Sequence, residues 1–484
     1  MSNSNDKRIE PQSGSEHGLH DLFSFPLMEA ILERRTRRVC RGTSISAGPL
    51  SHTSTNQPAP LSPIEEAVLI VSTGLTGKVT MHDVPLEASN GQSEFSTPLL
   101  KIVTRSASSI DNCQALSFFM INDQGTWLLR HSSSPEVAAV LNELPERWVD
   151  WTPDHWLRAA AAAKRKVYDT RIDFPRQWPY YFIWNREISN RPGSTLFFPV
   201  VDLTRQNINV LLSLLSELDG QRPLFIDDWQ KFRPKSLLDW GAWLGSRLGF
   251  VPKIPYQIIG GAKRARGNFL NRNFPVPLGL ASTMRTDYEA LFQLQNLMLV
   301  AHAMGLGGWI HASVASPYVF ERDPSKGTFG LAFRMEQPKN WRRWPPLPAP
   351  LPNPVGLDGV LEGLCPPYVK SMDEAVDAVV KEKYGPDGAY GDQLVFARAY
   401  REKAYAQDFL KNAGRATPEA IDYAKEICNY VYDTYGRFPA HVNAFHVPGV
   451  WIQFSHLELE YYRKYFEPGL YRRQAEHGEI WGEQ

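Results

Sequence analysis

The 484-residue chain has little cysteine: Cys40, Cys113, Cys365 and Cys428 stand far apart and form no CxxC pair. That spacing excludes a small disulfide framework and the usual zinc knuckles, and it predicts a reducing, cytoplasmic home. An excess of one charge is also missing, since 52 Lys and Arg balance 52 Asp and Glu. A global nucleic-acid footprint is thereby excluded, and no nucleic-acid partner is expected. The opening stretch MSNSNDKRIEPQSGSEHG is polar and has no apolar core, so no secretory signal is expected. Long apolar runs are scarce. The longest, LMLVAHAMGLGGWIHASVA (297–315), contains two histidines and Gly305, and reads as a buried helix running into a loop, not a membrane span. Internal repeats are absent, and no GxGxxG follows an early strand, which removes the dinucleotide fingerprint.

What is present is a large apolar inventory. Hydrophobic residues make up 43% and aromatics 12%, with 14 Trp. This suits a sizeable core, a planar ligand, or both. The length calls for two domains or one domain with large insertions. Residues 1–20 read as a disordered tail, followed by a helix over about 21–38. SPIEEAVLIVSTG carries a helix start, with Ser62 as N-cap, Pro63 in the first turn and Glu65 closing a capping box. ALSFFMIND and GTWLLRH read as strands around a turn at 122–125, and STLFFPVVDL as a buried strand. A long helix is expected over 285–305. A Pro-rich linker spans 341–356, and the rest, 357–484, reads as mostly helical. TPEAIDYAKEICNYVYDTYG is its cleanest helix, from Thr417 as N-cap to Gly436 past the end. Strands and helices do not alternate at regular βαβ spacing, so the fold class is α+β, a layered fold.

Three separated pieces carry chemistry. MEAILERRTRRVCRG (28–42) holds five arginines in fifteen residues. Arg34 and Arg38 share a face if the helix continues through them, and guanidinium forks beside the Thr36 hydroxyl suit a phosphate monoester. A solvated basic face is the bland alternative. In SSIDNCQALSFFMIND (108–123), Ser109, Asn112 and Gln114 precede an apolar strand, where small polar groups meet the edge of a flat heterocycle or simply form a turn. LQNLMLVAHAMGLGGWI (294–310) ends a helix in Gly305-Leu306-Gly307, which permits close backbone approach to a ligand or serves as a helix cap. Cys113 reads as a small buried residue. His441, His446, His456 and Glu458 lack a recognised zinc spacing and read as packed or capping groups, so no metal site is expected.

In order and polarity, these pieces resemble the FMN-dependent nitroreductase superfamily. Arg34, Arg35, Thr36 and Arg38 match its Arg-Arg-Ser-x-Arg element, with Thr for Ser. Ser109, Asn112 and Gln114 match its Pro-Ser-x-x-Asn-x-Gln element, with Ser108 in place of Pro and Ala115-Leu116 where a Trp is often found. Gln295-Asn296 through Gly307 match its QNLxLAAxxxGLG helix. The resemblance covers about 25–130 and 195–340 and implies a nitroreductase-like domain over 21–340, with a mainly antiparallel central sheet flanked by helices, an insertion at about 221–280 and a helical C-terminal extension.

It further implies an FMN oxidoreductase working by hydride exchange with NAD(P)H on a small organic substrate, in a homodimer with FMN at the interface. Arg34, Arg35, Thr36 and Arg38 would grip the phosphate and ribityl chain, and Ser109, Asn112, Gln114, Gly305, Leu306 and Gly307 would approach the flavin. No catalytic side chain is assigned. The basic loop 260–268 would clamp a second phosphate or lie exposed, and Arg342 and Arg343 stand where family members place a late basic residue. The alternative is an FMN-free scaffold of the same fold, acting as a binding or interaction protein.

Overall fold

The computed structural model describes residues 13–80, 88–89, 92–93, 99–217, 221–227, 237, 240–241, 244–245, 248, 250, 257–258, 269–337, 352–391, 393–412, 414–443 and 449–482. The basic loop 260–268, Arg342, Arg343 and His446 lie outside them.

A seven-stranded sheet forms the centre. Its strands are β1 (Leu116–Asn122), β2 (Gly125–Leu129), β3 (Lys164–Tyr168), β4 (Thr195–Asp202), β5 (Gly307–His311), β6 (His441–Asn443) and β7 (Trp451–Ser455). The order is β5-β7-β4-β1-β2-β3, with β6 also paired to β4. Every pairing in it is antiparallel. The class is therefore α+β with a mainly antiparallel sheet, as expected. A parallel pair occurs in a smaller sheet, between Pro223–Asp227 and Asn271–Pro277.

Both faces of the sheet are covered, which explains why its strands read as continuous apolar runs. Phe118, Met120, Phe197 and Phe454 point into one core, against helices α3 (Pro63–Val71), α5 (Pro153–Ala163) and α7 (Leu278–Ala303). Their neighbours Phe119, Ile121, Leu196 and Phe198 point into a second core with Tyr181, Phe320 and Phe333. This is the period-two alternation of a strand with both faces dry. A third core packs α6 (Leu203–Leu215) against α8 (Met372–Tyr384) and α9 (Pro418–Tyr435). The α3 capping box at Ser62 and Glu65 is formed, and α9 starts at Thr417 and stops at Gly436 in the left-handed region, both as read from the sequence.

Three expectations are corrected. Residues 13–20 open a packed helix, α1 (Ser13–Ser24), in which the Gly18 backbone lies too close to Trp481 for a Cβ. The expected single helix over 21–38 is two helices: α1 stops at Ser24, before Pro26, and α2 (Leu27–Glu33) stops at Glu33. Beyond its helices, the chain after the Pro-rich stretch also supplies strands. Asn353–Leu357 pairs with Arg334–Glu336, and β7 enters the central sheet between β5 and β4. The C-terminal region is thus built into the core of the fold. Finally, 297–315 divides at the left-handed Gly305 into the end of α7 and strand β5, and among the described residues no helix is long and apolar enough to cross a membrane.

Candidate functional site

The arginine run is extended, not helical. Arg34 has φ −54° and ψ 126°. Instead of bonding carbonyls four residues back, Arg37 N–H donates to the Gly308 carbonyl at 3.2 Å. Arg38 and Val39 N–H both donate to the Tyr462 hydroxyl, at 2.9 and 3.2 Å. The run is thus held against β5 and helix α10 (Leu459–Tyr465), and the shared helix face of Arg34 and Arg38 does not exist. Arg37 spends its guanidinium on the carbonyls of Thr36 and Leu470. Burial lowers its pKa; Tyr462 opposes this, and Arg35 and Arg34 add to it. Arg38 lies 5.9 Å over the Trp309 ring. Among the described residues, Arg35 donates to the carbonyls of Leu32 and Arg34. No described carboxylate pairs with Arg34, Arg35, Arg37 or Arg38. A cleft of about 220 Å³ is lined by Arg35, Thr36, Arg37 and Arg38 together with Tyr461 and Phe466.

The Gly305-Leu306-Gly307 turn adjoins this run, but its glycines have a packing reason. Gly305 has φ +75°, and a Cβ there would meet the Arg473 carbonyl oxygen at 2.8 Å. At Gly307 a Cβ would strike the Leu457 side chain across the β5–β7 pair. Leu306 is buried in the core.

Ser109, Asn112 and Gln114 lie beside Glu289, midway along α7. Ser109 Oγ donates to Glu289 at 2.6 Å and accepts from Gln114 N–H at 3.3 Å. Gln114 Nε2 donates to Asn112 Oδ1 at 2.6 Å, its Oε1 accepts from Arg105 N–H at 3.0 Å, and Asn112 donates to the Lys101 carbonyl. Asp111, Asn112 and Gln114 take φ of 59°, 44° and 53°. Three such residues in four mark a conformation over-determined by its surroundings. The network sits on a buried basic cluster that sequence reasoning missed. Burial and then the charge of Arg205 lower the pKa of Lys101; burial lowers that of Arg105 against the opposing charge of Glu289. Burial, then Arg105 and Lys101, pushes His131 well down. Burial brings Lys383 to about 7, where its Nζ donates to Asn209 at 2.7 Å. Cys113 is buried and its thiol raised well above its ordinary value, first by burial and then by Glu289, so it is held as a thiol. From Glu289 to Ala303 is 303 − 289 = 14 helical steps, or about 21 Å. One chain therefore brings together two of the three pieces, and leaves the third this far back along the helix.

A second group assembles beside Gly305. Glu65, on α3, closes its capping box by accepting Ser62 N–H through Oε2 at 2.6 Å. Its Oε1 lies 3.1 Å from His456 Nε2 and 2.7 Å from His477 Nε2. Burial alone would raise the carboxyl, but the two histidines beside it, His456 first, hold it well below the usual carboxylate range. The adjoining cavity of about 420 Å³ is lined by Arg41, Gly305, His456, Arg463, Gln474 and His477, among others. His441 is far from this group in role: its Nδ1 faces the Val355 carbonyl at 3.3 Å, and burial lowers its pKa. Glu458 is occupied by Gly42 N–H at 2.8 Å, Asn56 at 2.7 Å and Ser54, fastening the 41–57 arm. The partners of His456 are hundreds of residues away or twenty-one residues on, beyond any local spacing rule.

The chain matches no family model, no curated protein and no solved structure.

Proposed function

We propose that the chain is an FMN-dependent oxidoreductase of the nitroreductase-like kind, exchanging hydride equivalents between NAD(P)H and a small organic substrate. The observation that carries this reading is the arginine run: four guanidiniums in five residues, none paired with a described carboxylate, with Arg35, Arg37 and Arg38 lining a cleft beside the Gly-Leu-Gly turn. A permanently bound phosphate is the partner such a cluster fits. FMN, when bound, supplies the two-electron chemistry. The chain's own part is to hold its phosphate at Arg34, Arg35, Thr36 and Arg38.

The position of the Ser109–Gln114 loop favours a flavin assembled between two protomers, with the loop of one chain meeting the arginine run of the other. Helix α2 supports the homodimer: Leu27, Met28 and Leu32 are 67, 60 and 62% exposed, an apolar face directly before the run. One observation favours the alternative of an FMN-free binding protein: Ser109, Asn112 and Gln114 are already engaged, with one another, with Glu289 and with the Lys101 and Arg105 backbone. An absorption scan of the purified protein in the flavin bands, followed by extraction of the chromophore and chromatography against FMN and FAD, decides between them. Recovery of FMN supports the oxidoreductase; no flavin even after incubation with FMN leaves the binding protein.

A further inference from the structure

We propose that Glu65, His456 and His477 form a site for a zinc-class divalent metal ion, with one coordination position open to the adjoining cavity. The three ligand-type atoms converge: Glu65 Oε1, His456 Nε2 and His477 Nε2 lie within 4.8 Å of one another. They come from three elements, α3, the end of β7 and the C-terminal helix His477–Trp481.

The remaining nitrogens fix which way the rings face. His477 Nδ1 lies 2.8 Å from the Met304 carbonyl and His456 Nδ1 lies 3.2 Å from the Ala59 carbonyl. A carbonyl only accepts, so each Nδ1 carries a proton and each Nε2 is turned to Glu65. This backbone-tethered Nδ1–H is the arrangement that orients metal-ligating histidines. A proton shared with the carboxylate would give a straight N–H···O bond. His477 Nε2, although 2.7 Å from Oε1 and buried, makes no hydrogen bond. His456 Nε2 is hydrogen-bonded to the same oxygen at 3.1 Å, so Oε1 faces two imidazole nitrogens and is bonded to one of them.

Two imidazole nitrogens and one carboxylate oxygen suit zinc and its first-row neighbours. Bonds of about 2.0–2.1 Å in a tetrahedral site set ligand atoms roughly 3.4 Å apart, so the observed 2.7 and 3.1 Å need to open by about 0.7 and 0.3 Å. Three protein ligands leave a fourth position. It faces the cavity, where Arg41 and Arg463 supply positive charge, so water or a small anion completes the shell.

The test uses the full chain, stripped with a chelator and titrated with Co2+ and then Zn2+. We expect one Co2+ per chain, with the intense visible bands of a tetrahedral site, displaced by one Zn2+. His477→Gln, at the partly accessible ligand, lowers Co2+ affinity at least tenfold with unchanged far-ultraviolet circular dichroism. Glu65→Gln, which keeps the side-chain volume, does the same and guards against a folding defect in either variant alone. His52→Gln, outside the group, leaves binding unchanged. Absence of a saturable equivalent in the stripped protein overturns the proposal, as does wild-type affinity in both folded variants. No readout depends on flavin.

Discussion

Arg37 donates its backbone N–H to the Gly308 carbonyl at 3.2 Å, and this contact fastens the arginine run to the first strand after the long helix. It joins two sequence motifs 271 residues apart by number (308 − 37). It also gives the neighbouring arginines different duties.

If the run holds the FMN phosphate, Arg34→Ala and Arg38→Ala each weaken FMN binding by roughly one to two powers of ten, because a charge-assisted bond to a phosphate contributes about 1.5–3 kcal/mol. Arg37→Ala instead frees the carbonyls of Thr36 and Leu470 and lowers thermal stability more than affinity. Fluorescence titration of FMN into apo-protein, beside thermal melts, separates the two effects. Equal, small losses of affinity in all three variants identify a solvated basic face.

Gly307→Ala tests the packing account of the Gly-Leu-Gly turn. A Cβ there runs into Leu457 and sits 3.2 Å from the Ser455 carbonyl oxygen. Overpacking of this kind costs about 1–3 kcal/mol, read as a lower urea midpoint in the flavin-free protein. Unchanged stability with a loss of FMN binding would instead assign the glycine to the cofactor.

Lys383 makes stability depend on pH. Its folded pKa, about 7, is below the roughly 10.4 of an unfolded lysine. Between these values the unfolded chain binds the extra proton, so this contribution is complete above about pH 10.4 and is lost as pH falls through 7. The span corresponds to at most ~5 kcal/mol. Lys383→Met should therefore be more stable than wild type near pH 6, and the advantage should shrink by pH 10. Urea unfolding of both proteins across that range measures it; an advantage independent of pH would remove the titration from the explanation.

The exposed face of α2 predicts an association. Light scattering should report twice the chain mass, and Leu32→Glu should shift the protein to monomer and weaken FMN binding together, since the proposed flavin site uses both protomers. A wild-type monomer that still retains FMN would count against the shared site.

Local signals were legible in the sequence because they act within one turn or one strand. Ser62, Pro63 and Glu65 set the start of α3, Thr417 and Gly436 bound α9, and the apolar runs at 116–122 and 195–202 announced buried strands. The α+β class followed from their irregular spacing. The order of the three motifs was visible too, but order does not give distance.

Only tertiary structure decided the rest. Propensity permits a helix through Arg34–Arg38, yet the Gly308 carbonyl and the Tyr462 hydroxyl take the N–H groups that a helix would bond internally. A central strand comes from residues 451–455 because both faces of the sheet needed covering and the edge of β4 remained to be paired. Glu65 reads locally as a capping residue, and its second oxygen meets His456 and His477 only when α3, β7 and the C-terminal helix pack around it. Side chains so far apart in sequence carry no shared period or spacing, so the chain alone fixes their chemistry and the fold alone fixes their meeting.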